Sequence, residues 1–304
     1  MSAEAPLRTL TLDHCLACNG RALEALPLRY EFRGTFPLAR CANCAMRFLR
    51  VQPAPESLVE LYSSDYFESD FRCGRSDANA ADESAFHAEN AGLLDAFGRW
   101  SHPGDLLEVG SATGWLLKHA IERGWRARGV ELSADAVARS RALGLDVFHG
   151  DLLAAALPSD AFDLVYMGDV LEHVPDCRAA LLEVVRVLRP GGHFYLRGPT
   201  TTHSLARALG LKLYALAHRE IVLREPPYHL WEFTPGPLAR LYNRCGLDVV
   251  ESRQAKIPPG RAHGKKSAVE RAAMAAIDLV NLPLTRIFNV RGDRIVMVGR
   301  KRRV

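Results

Sequence analysis

The stretch DLLEVGSATG, residues 105–114, joins a short apolar segment to a turn that lies between Gly110 and Gly114. An apolar run of this length that ends at glycine is typical of a strand buried in a sheet. The following residues, 115–124, are predicted to form a helix that Gly124 closes. The stretch therefore predicts a strand, a turn and a helix in succession, which is the opening of a βαβ unit.

The same alternation continues along the chain. A helix is predicted to start at Ser84 and to run to about Trp100, ahead of this unit. Further strands are predicted at residues 127–131, 145–151, 162–169 and 193–198, with helices at 133–144 and 178–188. Such alternation implies right-handed βαβ units and a doubly wound, Rossmann-like α/β fold with a parallel sheet. Ligands of such sheets bind at the carboxyl ends of the strands.

Acidic residues lie at the ends of the second and third predicted strands. Glu131 lies 21 residues after Gly110, where its carboxylate can accept hydrogen bonds from two ribose hydroxyls. Asp151 follows the third strand and can reach an adenine amino group. A dinucleotide fingerprint would need glycine at positions 112 and 115, which are Ala112 and Trp115. The pattern favours an adenosine cofactor without phosphates over the nicotinamide cofactor of a dehydrogenase.

Two pairs of cysteines precede this domain, Cys15-Leu-Ala-Cys18 and Cys41-Ala-Asn-Cys44, with 22 residues between them. Two C-x2-C pairs at this separation are typical of a structural zinc site, in which four thiolates complete a tetrahedron. A redox C-x-x-C pair is the alternative, but such motifs rarely occur twice at this spacing, and neither pair opens a helix. We therefore expect one structural Zn²⁺.

Composition shifts divide the chain into three parts. We expect a zinc-ribbon module at residues 1–50, a linker at 51–83 and a cofactor-binding domain at 84–304. The last part carries two inserts, at about residues 203–225 and 256–290.

The motifs together resemble the class I S-adenosylmethionine-dependent methyltransferases, in the branch with an N-terminal four-cysteine zinc ribbon. The resemblance is carried by LLEVGSATG (106–114), GDVLEHVPD (168–176), HLWEFTPGPLARLYNRCGLDVV (229–250), DRIVMVGRK (293–301) and the cysteine leader. It implies a seven-stranded, mostly parallel sheet whose last strand is antiparallel. It also implies methyl transfer to a small molecule, such as a sugar or another intermediate of glycan, lipid or natural-product biosynthesis. Ala112 and Ala45 depart from the family pattern, because glycine is common at both positions.

By the same resemblance, S-adenosylmethionine should contact residues at the ends of the first four strands, with Leu132 lining the adenine pocket. The expected contacts are Glu108, Gly110, Ser111, Ala112, Gly114, Glu131, Leu132, Asp151, Leu152 and Gly168.

Three histidines are candidates for the acceptor side. His173 follows the fourth strand and is the first candidate for a general base, although it could instead only hydrogen-bond the loop. His203 follows the fifth strand. His229 lies in a proline-stiffened loop, where Tyr228 and Trp231 could wall a substrate or simply pack.

The first insert contains leucines at helical spacing, from Leu205 to Leu216, interspersed with basic residues. It is predicted to be a helical lid over the acceptor pocket, or alternatively a membrane-surface helix of a quinone- or lipid-directed O-methyltransferase. The second insert could pack on the core or join two subunits.

Composition restricts the remaining possibilities. The chain has 304 residues, 48% hydrophobic and 24% charged, and contains no apolar run long enough to span a bilayer. We expect a cytoplasmic protein, or one peripheral to the inner membrane surface, with reduced thiols.

From Glu251 onward there are 13 Lys/Arg and 4 Asp/Glu. A nucleic-acid-binding zinc ribbon is a further alternative, but no aromatic residues interleave with these charges, so no nucleic-acid partner is expected.

Overall fold

The computed structural model describes residues 5–61, 80–255, 277, 279 and 281–303. Two sheets dominate this part of the chain: one of five strands near the N-terminus and one of seven strands after it. None of the helices in the described ranges is long and apolar enough to cross a membrane. The expected linker residues 62–79 and insert residues 256–276 lie outside the described residues.

The N-terminal segment is built mostly from β-strands. Its elements are β1 (Thr9–Thr11), β2 (Leu23–Glu31), β3 (Thr35–Cys41), β4 (Arg47–Leu49), β5 (Val51–Pro53) and helix α1 (Pro55–Leu61). Strands β2, β3 and β4 form an antiparallel meander, while β1 pairs with β5. Inward-facing side chains such as Phe36, Leu38 and Phe48 are buried, as alternation along such strands requires.

The remaining chain forms the α/β domain. Its strands are β6 (Asp105–Val109), β7 (Arg126–Glu131), β8 (Val147–His149), β9 (Phe162–Gly168), β10 (Leu188–Pro199), β13 (Leu247–Ala255) and β14 (Arg294–Lys301). Its helices are α2 (Ala80–Phe97), α3 (Trp115–Glu122), α4 (Ala134–Ala142), α5 (Cys177–Val187), α6 (Leu205–Leu216), α7 (Pro235–Cys245) and residues 281–288, here α8. The strand order is β13-β14-β10-β9-β6-β7-β8, and β14 runs antiparallel to both of its neighbours. The predicted seven-stranded mixed sheet with an antiparallel last strand is confirmed.

The central strands are apolar because helices cover both faces of the sheet. Leu164, Val165 and Met167 of β9 are completely buried, although they alternate between the two faces. The strand order reverses between β6 and β9, so their carboxyl ends open onto one crevice.

Two short strands of the α/β domain complete the N-terminal sheet. Strand β11 (Ile221–Leu223) pairs with β2, and β12 (Trp231–Glu232) pairs with β4, giving the order β11-β2-β3-β4-β12. The rings of Phe48 and Trp231 pack with centroids 5.4 Å apart in a core common to both parts. The N-terminal segment is therefore joined to the α/β domain by backbone pairing as well as by side-chain packing.

Two predicted helix boundaries differ from the structure. Helix α2 begins at Ala80, so Ser84 lies inside it and does not cap it. Helix α5 spans Cys177–Val187 instead of the predicted 178–188, because β10 already begins at Leu188, two residues before Pro190. The β10–β9 pairing is irregular between Leu188 and His193, which accommodates the proline.

Candidate active site

The turn after β6 owes its shape to residues in left-handed conformations. The φ angles are 75° at Gly110, 46° at Ala112 and 80° at Gly114. A Cβ added at Gly110 would lie 2.3 Å from Cγ2 of Val170, and one at Gly114 would lie 2.4 Å from Cδ1 of Leu145. Both glycines are therefore required by packing, in addition to any approach of a ligand. Ala112 adopts the strained conformation that makes glycine common at this position, at a cost of about 1 kcal/mol.

We expect Gly110→Ala to lower the free energy of unfolding by about 3 kcal/mol, since it adds a methyl–methyl clash to left-handed strain. Urea denaturation of Gly110→Ala, Val170→Ala and the double variant separates the two contributions. Val170→Ala removes the clashing methyl group, so the double variant should be more stable than the two single losses added together predict. Strict additivity would show that the clash contributes nothing.

Glu131 ends β7 and binds the turn. Its Oε2 accepts a hydrogen bond from the backbone N–H of Ala112 at 2.8 Å, and its Oε1 accepts one from Ser133 at 2.8 Å. Only 6% of Glu131 is exposed. A carboxylate has about four acceptor positions, so each oxygen keeps one for a ligand hydroxyl. Glu131 thus links the glycine turn to the end of β7 and remains able to accept further hydrogen bonds.

Two buried polar atoms beside this turn have no hydrogen-bond partner among the described residues: Oε2 of Glu108 and Oγ of Ser111. Burial raises the pKa of Glu108 well above its usual range, and the neighbouring Glu131 raises it further. Unsatisfied buried polar groups are rare, and they are expected where a ligand completes the site. A cationic ammonium group would satisfy Glu108.

The other predicted cofactor residues lie at the same edge of the sheet. His149 donates a hydrogen bond from Nε2 to the carbonyl of Leu132 at 3.1 Å, and Leu132 leaves 60% of its surface exposed. Asp151 accepts a hydrogen bond from the N–H of Ala154 at 2.8 Å through one carboxylate oxygen. Leu152 is buried, and Gly168 ends β9. The structure brings the ends of β6, β7, β8 and β9 together here.

A second polar cluster follows β9, where the chain forms a single turn over Leu171–His173. His173 donates a hydrogen bond from Nδ1 to the carbonyl of Tyr228 at 2.9 Å, and its Nε2 lies 3.9 Å from Oε1 of Glu172. The rings of His173 and His229 are 4.9 Å apart. The two predicted histidines thus lie together, with Glu172 beside them.

The ionisation of this cluster follows from its burial. Burial lowers the pKa of His173 and of His229, and the two imidazoles are therefore neutral near pH 7. Burial and the charge of Asp169 raise the pKa of Glu172 to about 7. His203 is not part of the cluster, although burial lowers its pKa too.

The loop that carries His229 is held against this turn by backbone hydrogen bonds. The N–H of Leu230 donates to the carbonyl of Glu172 at 2.9 Å, and Nε1 of Trp231 donates to the carbonyl of Val174 at 2.8 Å. Trp231 is only 1% exposed, so it supports the loop and does not wall an open pocket as considered from the sequence.

Several charged residues near the cluster were not predicted as site residues, although Asp169 and Glu232 lie within the motifs quoted from the sequence. Asp169 accepts two hydrogen bonds from Arg294, at 2.5 and 2.6 Å. Glu232, which is 4% exposed, accepts a hydrogen bond from the N–H of Thr202 at 3.3 Å. Arg47 of the N-terminal sheet donates to the carbonyl of Thr202 at 3.0 Å. A further signal was the position of Asp169 and Glu232 at strand ends.

The four cysteines form a separate cluster whose sulfur atoms all lie within 4.8 Å of one another. Sγ of Cys15 is 3.6 Å from that of Cys44, and Sγ of Cys18 is 3.5 Å from that of Cys41. Tetrahedral zinc with bonds of about 2.3 Å requires sulfur atoms about 3.8 Å apart. The four donors therefore fit such an ion.

The turns that present these sulfurs are alike. Asn19 and Ala45, each the residue after a C-x2-C pair, have φ angles of 60° and 59°. Their N–H groups donate to the carbonyls of Cys15 and Cys41, at 2.6 and 2.8 Å. The backbone carbonyl of Cys44 accepts a hydrogen bond from Nη2 of Arg240 in α7 at 2.7 Å. The cysteine cluster is thus anchored on the α/β domain.

Comparison with known proteins identifies the α/β domain. Residues 82–252 match the family described as "Methyltransferase domain". The chain is 28% identical over 159 residues to a ubiquinone biosynthesis O-methyltransferase from Cupriavidus pinatubonensis, covering 49% of this chain and 61% of that protein. It is 38% identical over 95 residues to a malonyl-[acyl-carrier protein] O-methyltransferase from Serratia marcescens, covering 30% and 37% of the two chains. The chain thus spans less than two thirds of the length of these relatives.

A solved structure shares the fold. It is a SAM-dependent methyltransferase from Archaeoglobus fulgidus, with a TM-score of 0.50 and 16% identity, and the match covers 70% of this chain and 93% of that one. The chain therefore belongs to the methyltransferase-domain family, and its α/β domain has the fold of the class I S-adenosylmethionine-dependent methyltransferases.

Proposed function

We propose that the chain transfers a methyl group from S-adenosylmethionine to a hydroxyl of a small-molecule acceptor. The observation that carries the proposal is the Glu131 carboxylate, buried at the end of β7 and hydrogen-bonded to the N–H of Ala112 in the glycine turn. S-adenosylmethionine supplies a methyl group already activated by its sulfonium. Glu131 would hold the ribose hydroxyls, and Glu108 would hold the ammonium group.

Other residues of the same edge would complete the cofactor site. The exposed side chain of Leu132 would lie against the adenine ring, and the unpartnered oxygen of Asp151 would accept from its amino group. Gly110, Ser111, Ala112, Gly114, Leu152 and Gly168 would line the rest, as the sequence predicts. The unsatisfied Ser111 hydroxyl is suited to the methionine carboxylate.

The histidine cluster supports the acceptor half of the reaction. Neutral imidazoles can accept the acceptor's hydroxyl proton, after which the oxygen attacks the methyl carbon and the carbon–sulfur bond breaks with its electron pair left on sulfur. His173 donates from Nδ1 to the carbonyl of Tyr228, so Nε2 is the nitrogen that carries the lone pair of the neutral ring. His229 lies directly beside it.

The direct test is methyl transfer from labelled S-adenosylmethionine to glycosides, polyphenols and hydroxylated quinone precursors, combined with calorimetry of cofactor binding. Absence of binding of both S-adenosylmethionine and S-adenosylhomocysteine would refute the proposal.

We expect His229→Ala to lower turnover by about 100-fold or more, because a proton acceptor contributes about 10²- to 10⁴-fold. Affinity for S-adenosylhomocysteine should be unchanged, since the glycine turn does not involve this residue. His203→Ala, which removes a half-buried histidine outside the cluster, is the matched control and should keep most activity. Equal losses in both variants would contradict the assignment.

We also propose that the cysteine cluster holds a structural Zn²⁺ and that the chain belongs to the zinc-ribbon branch of the family. The near-tetrahedral sulfur spacing supports this. Four thiolates whose sulfur atoms lie within 4.8 Å of one another repel, so they require a compensating cation. With all four positions occupied by protein, the ion would have no open site for catalysis.

A membrane-surface O-methyltransferase is the second candidate. Helix α6 packs inward through Leu211 and leaves Leu209, Leu213 and Leu216 exposed, at 51%, 55% and 79%. Residues 205–219 contain basic side chains and no acid. An apolar stripe with basic neighbours suits an anionic lipid surface, so in this candidate function α6 docks on lipid and is not the predicted lid.

Co-sedimentation with vesicles containing phosphatidylglycerol distinguishes these candidates. If α6 docks on lipid, Leu213→Glu should abolish binding, while Leu182→Glu, a change at an exposed leucine on α5, should not. Failure of the unaltered chain to sediment at low salt would leave only the acceptor-lid interpretation.

A further inference from the structure

The cluster beside the methyl-transfer site contains the donor set of a metal centre. One ligand atom from each of Glu172, His173 and His229 lies within 4.8 Å of the other two. Among the residues that the structure describes, this cluster and the four cysteines are the groups with such spacing. Two imidazole nitrogens and a carboxylate oxygen suit divalent transition ions, whereas four thiolates select zinc.

The state of Glu172 is an independent observation. The residue is 1% exposed, and neither carboxylate oxygen has a hydrogen-bond partner within the described chain. A buried carboxylate without a partner carries a desolvation penalty of several kcal/mol. The nearby guanidinium of Arg294 is already hydrogen-bonded to Asp169. Glu172 therefore has no counter-ion bonded directly to it among the described residues, although the charge of Arg294 acts on it from a distance, and a bound cation would supply one.

The orientation of His173 also supports a metal site. Because the carbonyl of Tyr228 accepts its Nδ1–H, the lone pair of Nε2 is directed into the cluster, where Glu172 Oε1 lies 3.9 Å away. Histidines that bind metals almost always donate their other N–H to a carbonyl or carboxylate, which fixes the ring and its tautomer. An ion bonded at about 2.1 Å would draw the three ligand atoms together by about 1 Å, within the reach of side-chain adjustment.

We propose that Glu172, His173 and His229 bind one divalent transition-metal ion at the acceptor side of the methyl-transfer site. Three protein ligands leave coordination positions open, and an acceptor with two neighbouring oxygens, such as a catechol or a vicinal diol, can occupy them. With both imidazoles bonded to the ion, water replaces them as the proton acceptor: the ion lowers the pKa of the coordinated hydroxyl, and the hydroxyl proton passes to water before the oxygen attacks the methyl group. This role rests on the proposed methyl transfer, whereas binding of the ion does not.

The test uses Mn²⁺, because this ion avoids thiolate sites and leaves a zinc-loaded cysteine cluster intact. Titration of the full zinc-loaded chain, followed by the electron paramagnetic resonance signal of free Mn²⁺, should show one bound ion per chain. Glu172→Gln and His229→Ala should each weaken binding by at least about 10-fold, as expected for the loss of a direct ligand. His203→Ala is the matched control and should bind normally.

Folding and cofactor binding are checked in the same samples. Calorimetry with S-adenosylhomocysteine should give unchanged affinity in Glu172→Gln, which shows that the variant is folded. No Mn²⁺ binding by the unaltered chain, or equal binding by all variants, overturns the metal site. If the unaltered chain binds Mn²⁺ but not S-adenosylhomocysteine, the metal site is supported and the proposed methyl transfer is rejected. If it binds S-adenosylhomocysteine but not Mn²⁺, only the metal site is rejected.

Discussion

Glu131→Gln is expected to weaken the binding of S-adenosylhomocysteine by about 100-fold, or about 2.8 kcal/mol. The carboxylate is already bound to the N–H groups of Ala112 and Ser133, and in the proposed complex it accepts from two ribose hydroxyls as well. The amide of glutamine has only one acceptor oxygen. Its NH₂ group would face the donors that the second carboxylate oxygen now accepts from, and it cannot form hydrogen bonds with them. Hydrogen bonds to a charged group contribute about 1.5–3 kcal/mol each, so the loss should be large.

Isothermal titration calorimetry measures this change, and thermal unfolding shows how much of it arises from the turn itself. Glu122→Gln, the same substitution at an exposed position of α3, is the matched control and should leave affinity unchanged. The site assignment would be wrong if Glu131→Gln bound S-adenosylhomocysteine normally. A loss in melting temperature without a loss in affinity would show that Glu131 serves only the turn.

The α/β domain could be predicted because its signals are local. The buried strands are apolar on both faces, and the ends of helices α3 and α4 are marked by Gly124 and Gly144, whose φ angles are 87° and 77°. The position of the predicted cofactor residues at one edge of the sheet could be inferred from topology, since the carboxyl ends of parallel strands must lie side by side. Helix α2 was predicted to start late because Ser84 is a good capping residue, yet the helix extends back to Ala80.

What could not be predicted depends on contacts between residues distant in the chain. Strands β11 and β12 are three and two residues long, too short for a periodic pattern, and they form only because β2 and β4 offer open edges. The pairing of His173 with the carbonyl of Tyr228 spans 55 residues. Chain order places His229 on a loop but does not say that this loop returns to the end of β9.

The pairing of β4 with β12 connects the cysteine cluster to the candidate active site, and Cys41→Ala tests whether one depends on the other. We expect the variant to lose the proposed zinc and at least about 4 kcal/mol of stability, because a structural zinc site contributes folding free energy directly. For a chain of this size the loss corresponds to a fall in melting temperature of at least about 8 °C. Cys245→Ala, the same change at a buried cysteine outside the cluster, should cost about 1 kcal/mol and keep the metal.

Amide hydrogen exchange in Cys41→Ala measures how far from the cysteine cluster the structure is destabilised. The N–H of Leu49 donates to the carbonyl of Leu230, and the N–H of Leu230 donates to the carbonyl of Glu172, so a backbone chain runs from β4 to the histidine cluster. In Cys41→Ala both amides should exchange faster, while the amide of Gly110, bonded to Val130 within the α/β sheet, should stay protected. Protection of Leu230 equal to that of the unaltered chain would mean that the cysteine cluster is only a neighbour of the candidate active site. Faster exchange at both Leu49 and Leu230, with Gly110 still protected, would mean that the cysteine cluster holds the His229 loop in place.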